Sequence, residues 1–158
     1  LQFPERVEKL VVADMAPRAY LPAHDPIFTA LLALDLPAFQ TRQQIEDALA
    51  VEIPDLALRR FLLKNLGRND HGVFQWKMNL SALAKNYPHL CAPLAWKIPF
   101  PKPTLFIRGG KSKYIGLGDE PEIYRLFPAA KIQTIAKADH WVHADAPEEF
   151  VQMVLDFL

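Results

Sequence analysis

Thr104-Leu105-Phe106-Ile107-Arg108 runs directly into Gly109-Gly110. A short apolar run without alternation is the pattern of a strand buried on both faces, and a glycine pair at its end lets the backbone turn tightly. Lys9-Leu10-Val11-Val12-Ala13, closed by Asp14 and Pro17, shares the character, and Ala130 to Ile135 reads as a third strand in which Lys131 and Gln133 alternate with Ile132, Thr134 and Ile135. Helical patterns over Pro121 to Phe127 and Pro147 to Leu158 follow the second and third runs. Strands separated by helices predict an α/β fold, a parallel sheet with crossover helices.

The first two strands are separated by far more chain than a crossover needs. From Asp25 to Leu90 the apolar residues fall at helical spacing: Ile27, Leu31, Leu34; Ile45, Leu49; Leu58, Phe61, Leu62, Leu66. Thr41 and Asp55 are the expected N-caps, Pro37 and Pro54 the breaks, and Gly67 the C-cap of the third helix. A further helix is expected over Asn79 to Lys85, closed by Tyr87-Pro88, and a proline-rich linker from Pro93 through Pro103 delivers the chain to the second strand. The expected organisation is therefore a core strand and its loop in residues 1–20, a helical cap in 21–98, and the remaining core in 99–158. Residues 1–8, with Pro4 and alternating charges, read as a surface connection leaving an earlier helix, so something is expected upstream.

At 158 residues and 51% hydrophobic, the chain has enough apolar material for a globular core. Lys+Arg and Asp+Glu are equal at 18 each, which argues against nucleic acid and anionic membrane surfaces as partners and leaves a small neutral or amphipathic one. The single cysteine, Cys91, excludes an internal disulfide and a cysteine-based zinc cluster and leans toward the cytoplasm. No apolar stretch approaches the roughly 20 residues of a membrane span, and no secretory signal is visible. Gly110-Lys111-Ser112 ends like a phosphate-binding loop but lacks the glycine that such a loop places earlier. His24, His71 and His89 read as surface or cap residues, and their scatter gives no metal-ligand spacing.

In open α/β sheets the reactive groups collect at the carboxyl ends of the strands. Asp14, the Gly109 to Lys113 loop, and Ala138-Asp139-His140-Trp141-Val142-His143 qualify. A carboxylate that accepts from one imidazole nitrogen fixes the tautomer and steadies the imidazolium formed when the other nitrogen takes a proton. Asp14 and His140 could form that pair. Equally, Asp14 could be a turn or N-cap residue before Pro17, and His140 a loop histidine packed on Trp141.

The run Ala138 to Phe150 resembles the histidine loop and final helix of α/β-hydrolases, Gly-His-Trp-x-His-x-Glu-x-Pro-x-x-Phe, with Asp139 in place of the usual glycine. Asp139 is thus expected to meet a left-handed backbone demand. Val11-Val12-Ala13-Asp14-Met15-Ala16-Pro17 resembles the acid loop of the small bacterial serine esterases of the YbfF type and their mitochondrial relatives, and Gly109-Gly110-Lys111-Ser112 their Gly-Gly-Asn-Ser pattern. Thr41 to Gln44, Phe61 to Lys64, Trp76 and Asn79 resemble the four-helix cap of that group. The resemblance implies the C-terminal part of an α/β-hydrolase fold with an inserted helical cap, with Asp14 and His140 as triad acid and base.

The same resemblance implies a Gly-x-Ser-x-Gly nucleophile elbow, and the chain has none: its two serines are Ser81 and Ser112, without flanking glycines. The nucleophile, the oxyanion-hole segment and the first strands are expected in an N-terminal half, on the same or a separate chain, and this chain alone is expected to be inactive. The implied chemistry is carboxylic ester or thioester hydrolysis through an acyl-enzyme, needing no metal or organic cofactor. Trp141 is the candidate wall of the substrate site, with Trp76, Phe61 and Phe74 of the cap as acyl-pocket residues and His143 as a loop buttress. Three rivals stay open: an aspartate nucleophile of epoxide-hydrolase or dehalogenase type, a non-catalytic binding protein on the same fold, and an isolated helical interaction module, which the strand signals disfavour.

Overall fold

The structure is a computed structural model that describes residues 3–94 and 98–158. Leu1 and Gln2, at the head of the expected surface connection, and Ala95 to Lys97, inside the proline-rich linker, lie outside the described residues. In chain order the elements are β1 (Leu10–Ala13), α1 (Asp25–Leu32), α2 (Arg42–Ala48), α3 (Leu56–Leu63), β2 (Leu66–Arg68), β3 (Phe74–Trp76), α4 (Leu80–Cys91), β4 (Thr104–Gly109), α5 (Glu120–Leu126), β5 (Ala130–Ile135), α6 (Val142–Asp145) and α7 (Pro147–Phe157). They form two compact units, Leu1–Ala19 with Pro93–Leu158, and Tyr20–Ala92.

The first unit is a parallel sheet in the order β1-β4-β5. Val12 lies opposite Phe106, and Phe106 opposite Ile132, so one face of the sheet carries Leu10, Val12, Phe106, Ala130 and Ile132. That face packs on Ile123, Leu126 and Phe127 at the end of α5, with the Phe106 and Phe127 rings meeting edge to face at 5.2 Å. The alternate residues, Val11, Leu105, Ile107 and Ile135, face α7. There Phe150, Met153, Val154 and Phe157 recur at the i, i+3, i+4, i+7 spacing that puts one helix face on a sheet. Because β4 is central and covered on both sides, all its apolar positions are buried, which is why its sequence does not alternate. Each such side chain removed from water contributes about 1.5–3 kcal/mol. Ahead of the sheet, a 3-10 turn at Pro4–Arg6 is held by the Lys102 ammonium, which donates to the carbonyls of Pro4, Glu5 and Val7 at 3.1, 3.2 and 2.6 Å.

The second unit encloses its own core, in which Leu31, Ile45, Leu49 and Leu63 are essentially fully buried. The expected N-caps hold. Thr41 and Gln44 form a reciprocal capping box at α2, and the Asp55 carboxylate accepts from the N–H groups of Ala57 and Leu58 at α3. The unit is not purely helical, however. Residues 66–76 form an antiparallel hairpin in which Leu66 pairs with Trp76 and Arg68 with Phe74. Gly67, expected as a helix C-cap, is a strand residue: α3 ends at Leu63, and its C-cap Lys64 keeps helical geometry, so no left-handed residue is called for. The turn instead uses Asn69, whose side chain accepts from the N–H groups of His71 and Val73, and Gly72 at φ 76°. Pro88 does not close α4 either, which runs on to Cys91. The missing N–H costs one bond, and tertiary contacts hold the last turns in place. The Tyr87 hydroxyl bonds His24 Nδ1 at 2.7 Å, its ring packs on Phe28 at 5.1 Å, and the Cys91 carbonyl accepts from Tyr20 N–H at 2.8 Å. Among the described residues no helix is long and apolar enough to cross a membrane.

Candidate active site

Three loops leave the carboxyl ends of β1, β4 and β5 and meet on one carboxylate. Asp14 follows β1 directly; its N–H still pairs with the Ile107 carbonyl at 2.8 Å, and its backbone then turns left-handed at φ 44°. Among the described residues it is the one non-glycine with positive φ, a conformation that Asp tolerates better than most. No helix starts there, so the N-cap alternative for Asp14 falls away.

The turn carries the side chain out of solvent, with 0% exposure, and every acceptor position used is matched by a donor. Oδ1 accepts from Gly109 N–H at 3.0 Å. Oδ2 accepts from the Ser112 hydroxyl and from His140 Nδ1 at 2.9 Å. A carboxylate can only accept, so Nδ1 carries a proton in this bond, and Nε2 is the ring nitrogen turned away from the acid. His140 keeps 39% of its side chain exposed, so it combines a buried anchor with access to a reacting group.

Gly109 shows why this arrangement needs glycine. A Cβ there would sit 2.3 Å from the Asp139 carbonyl oxygen, so β4 and the histidine loop pass closer than any side chain permits. The loop is fixed by its own carboxylates: Asp139 N–H donates to Asp145 Oδ2 at 2.8 Å, and Asp139 Oδ1 accepts from His140 N–H at 2.8 Å. Asp139 is not left-handed, contrary to expectation; its carboxylate serves the loop by hydrogen bonding while its backbone stays in ordinary φ territory. Among the described residues no group of three or more His, Cys, Asp or Glu side chains is placed to hold a metal ion.

No family model matches the chain. It is 38% identical over 164 residues to the mouse sn-1-specific diacylglycerol lipase ABHD11, covering all of this chain and 53% of that protein. It is 34% identical over 157 residues to esterase YbfF of Escherichia coli, covering 98% of this chain and 59% of that one. The solved structure of a marine microorganism esterase superposes with a TM-score of 0.95 at 39% identity, over 99% of this chain and 63% of that one. The chain carries the α/β-hydrolase fold of the corresponding part of that esterase. It spans between half and two thirds of the length of these hydrolases.

The remaining site candidates divide by unit. Trp141, half-buried at the start of α6, lines a shallow depression of about 250 Å³ with Asp139, His140 and Asp145. Phe74 and Trp76, on β3, line an apolar groove of about 400 Å³ within the second unit, together with Leu31, Leu34 and Leu36. Phe74 also belongs to that unit's core, and Phe61, on α3, is 44% exposed and lies outside the groove. His143 packs its ring edge-on to Phe150 of α7.

Two residues of the site were not singled out from the sequence. Ser112 was read as part of a glycine pattern and as a serine without the flanking glycines of an elbow, yet its hydroxyl reaches the acid. Tyr114, from the β4 loop, lies face to face with the His140 ring, centroids 3.7 Å apart and planes 13° from parallel. The available signal was their position, on the loop at the carboxyl end of the central strand.

Proposed function

We propose that this chain supplies the acid and the base of a serine carboxylesterase triad, Asp14 and His140, and that the nucleophilic serine belongs to a segment outside these 158 residues. The observation that carries the reading is the 2.9 Å bond from His140 Nδ1 to the buried Asp14 carboxylate, on an imidazole that stays partly open to solvent. Relatives bearing the names esterase and diacylglycerol lipase support an ester of a carboxylic acid, an acylglycerol among them, as substrate class.

In the mechanism, Nε2 of His140 takes the proton of the serine hydroxyl as its oxygen attacks the ester carbonyl. The imidazolium so formed is stabilised by Asp14, then returns the proton to the departing alcohol, leaving an acyl-serine. Water repeats the sequence, with His140 again as base, and releases the acid. Trp141, beside His140, is assigned to the wall of the substrate site.

Fluorophosphonate labelling of the protein expressed from its complete coding sequence, followed by peptide mapping, tests this. Label on a serine outside the present 158 residues, lost in His140→Ala together with ester hydrolysis by roughly 10⁴-fold or more, is the expected result. Label on Ser81 or Ser112, or hydrolysis indifferent to His140→Ala, would overturn it.

A further inference from the structure

The two peptide groups that lead into the Cα of His140 are each gripped along both edges. A peptide group is planar, so one contact at its carbonyl and another at its N–H fix its rotation as well as its place. In the first, Ala138 to Asp139, the carbonyl accepts from Lys111 N–H at 3.0 Å and the N–H donates to Asp145 Oδ2 at 2.8 Å. In the second, Asp139 to His140, the carbonyl oxygen lies against the backbone of Gly109, where a Cβ would meet it at 2.3 Å, and the N–H donates to Asp139 Oδ1 at 2.8 Å. The carbonyl edges are thus held by the end of β4 and its loop, backbone against backbone. Both N–H edges are held by carboxylates.

These two planes set the direction of the Cα–Cβ bond of His140. If either turns, the bond swings, and Nδ1 can keep its 2.9 Å contact with Asp14 only by a compensating turn of the ring. That turn carries Nε2, the atom that must meet the nucleophile, off its line. Residue 139 is where this chain departs from the glycine of the α/β-hydrolase pattern, and glycine has no side chain to accept from the next N–H. Asp139 keeps an ordinary φ, so the chain forgoes glycine's conformational freedom and gains a grip on the second plane. Both carboxylates are exposed. Water competes for exposed hydrogen bonds, which therefore add little to folding, and their loss is felt first in the aim of His140.

We propose that Asp139 and Asp145 are positioning residues for His140, each holding the N–H edge of one of the two peptide planes that aim its side chain. The proposal rests on the triad reading above, under which Nε2 must be aimed. What each residue supplies is an acceptor oxygen at a fixed place, and its negative charge has no part in the effect. A misplacement of about 1 Å in a catalytic group costs on the order of 10²-fold in rate, so the smaller shift that follows release of one edge is expected to cost about tenfold, in turnover and not in ground-state binding.

The test uses the complete protein, hydrolysis of a short-chain p-nitrophenyl ester, and His140→Gln in parallel. Asp139→Ala and Asp145→Ala are each expected to lower kcat by about tenfold at unchanged KM. Asp139→Asn and Asp145→Asn keep an acceptor oxygen without the charge and are expected to stay within about threefold of the parent. Should Asp145→Ala fail to fold, the Asp139 pair decides alone, since Asp139 is exposed and its ordinary φ suits alanine. Parental kcat in either alanine variant, a loss carried by KM, or an asparagine variant as slow as its alanine counterpart would overturn the proposal while His140→Gln remained inactive. Activity surviving in His140→Gln would instead remove the triad reading on which it rests.

Discussion

Adding a single methyl group at Gly109 tests whether the close passage of β4 under the histidine loop sets catalysis. An alanine Cβ at Gly109 would lie 2.3 Å from the Asp139 carbonyl oxygen, 2.8 Å from its carbon and 3.0 Å from the Ala138 oxygen. A relaxed carbon-to-oxygen contact is about 3.3 Å, so about 1 Å must open up, and all three atoms are backbone. β4 cannot yield readily, being hydrogen-bonded to a strand on each side. The loop at Ala138 and Asp139 gives way, and His140 moves with it, away from Asp14. The expected cost is about 1–3 kcal/mol of stability from overpacking and about 10²-fold in kcat from displacing the base. Gly118 is the control: it has nothing within 4 Å of an added Cβ, and Gly118→Ala should stay within about 0.5 kcal/mol of the parent. Urea unfolding and steady-state ester hydrolysis of the two variants give both numbers. A Gly109→Ala protein that turns over at the parental rate would refute the argument, since the loop would then have absorbed the methyl without moving His140.

Two stability predictions follow from the caps and clamps. Thr41→Ala removes one half of the capping box at α2 and should cost about 1 kcal/mol in urea unfolding, with Thr41→Ser close to neutral. Lys102→Met should lose about 1–3 kcal/mol, because the carbonyls of Pro4, Glu5 and Val7 lose their shared donor, and proteolysis should then cut earliest near the 3-10 turn at Pro4–Arg6.

The sheet was legible because β4 is buried along its length, so its apolar run stands out, and because β1 is a β-branched apolar run while β5 alternates polar and apolar residues. The N-caps Thr41 and Asp55 were legible because capping is local chemistry, complete within three residues. The hairpin at residues 66–76 was not. Its strands are three residues long, too short for a period of two to register, and Leu66 and Phe74 are as consistent with a helix face as with a strand. Only the Asn69 to Gly72 turn spoke for it. Pro88 misled because the rule that proline ends helices describes an isolated helix, while Tyr87 and Cys91 are held by residues more than sixty positions away. Strand-end position made Asp14 and His140 a candidate pair and the resemblance to α/β-hydrolases implied it, but the left-handed backbone at Asp14 and the contacts of Ser112 and Tyr114 depend on how three loops converge. Hydrogen bonds spanning about a hundred residues leave no local trace in a sequence.

The hydrogen bond from Tyr20 N–H to the Cys91 carbonyl brings the two ends of the second unit side by side. A segment whose ends meet can be lengthened, shortened or exchanged without changing the distance its flanking strands must bridge. Evolution can therefore treat residues 20–92 as a cassette: its helices and hairpin are free to diverge at their own pace, while Asp14 on one side of the splice and His140 on the other keep the spacing that their 2.9 Å bond demands.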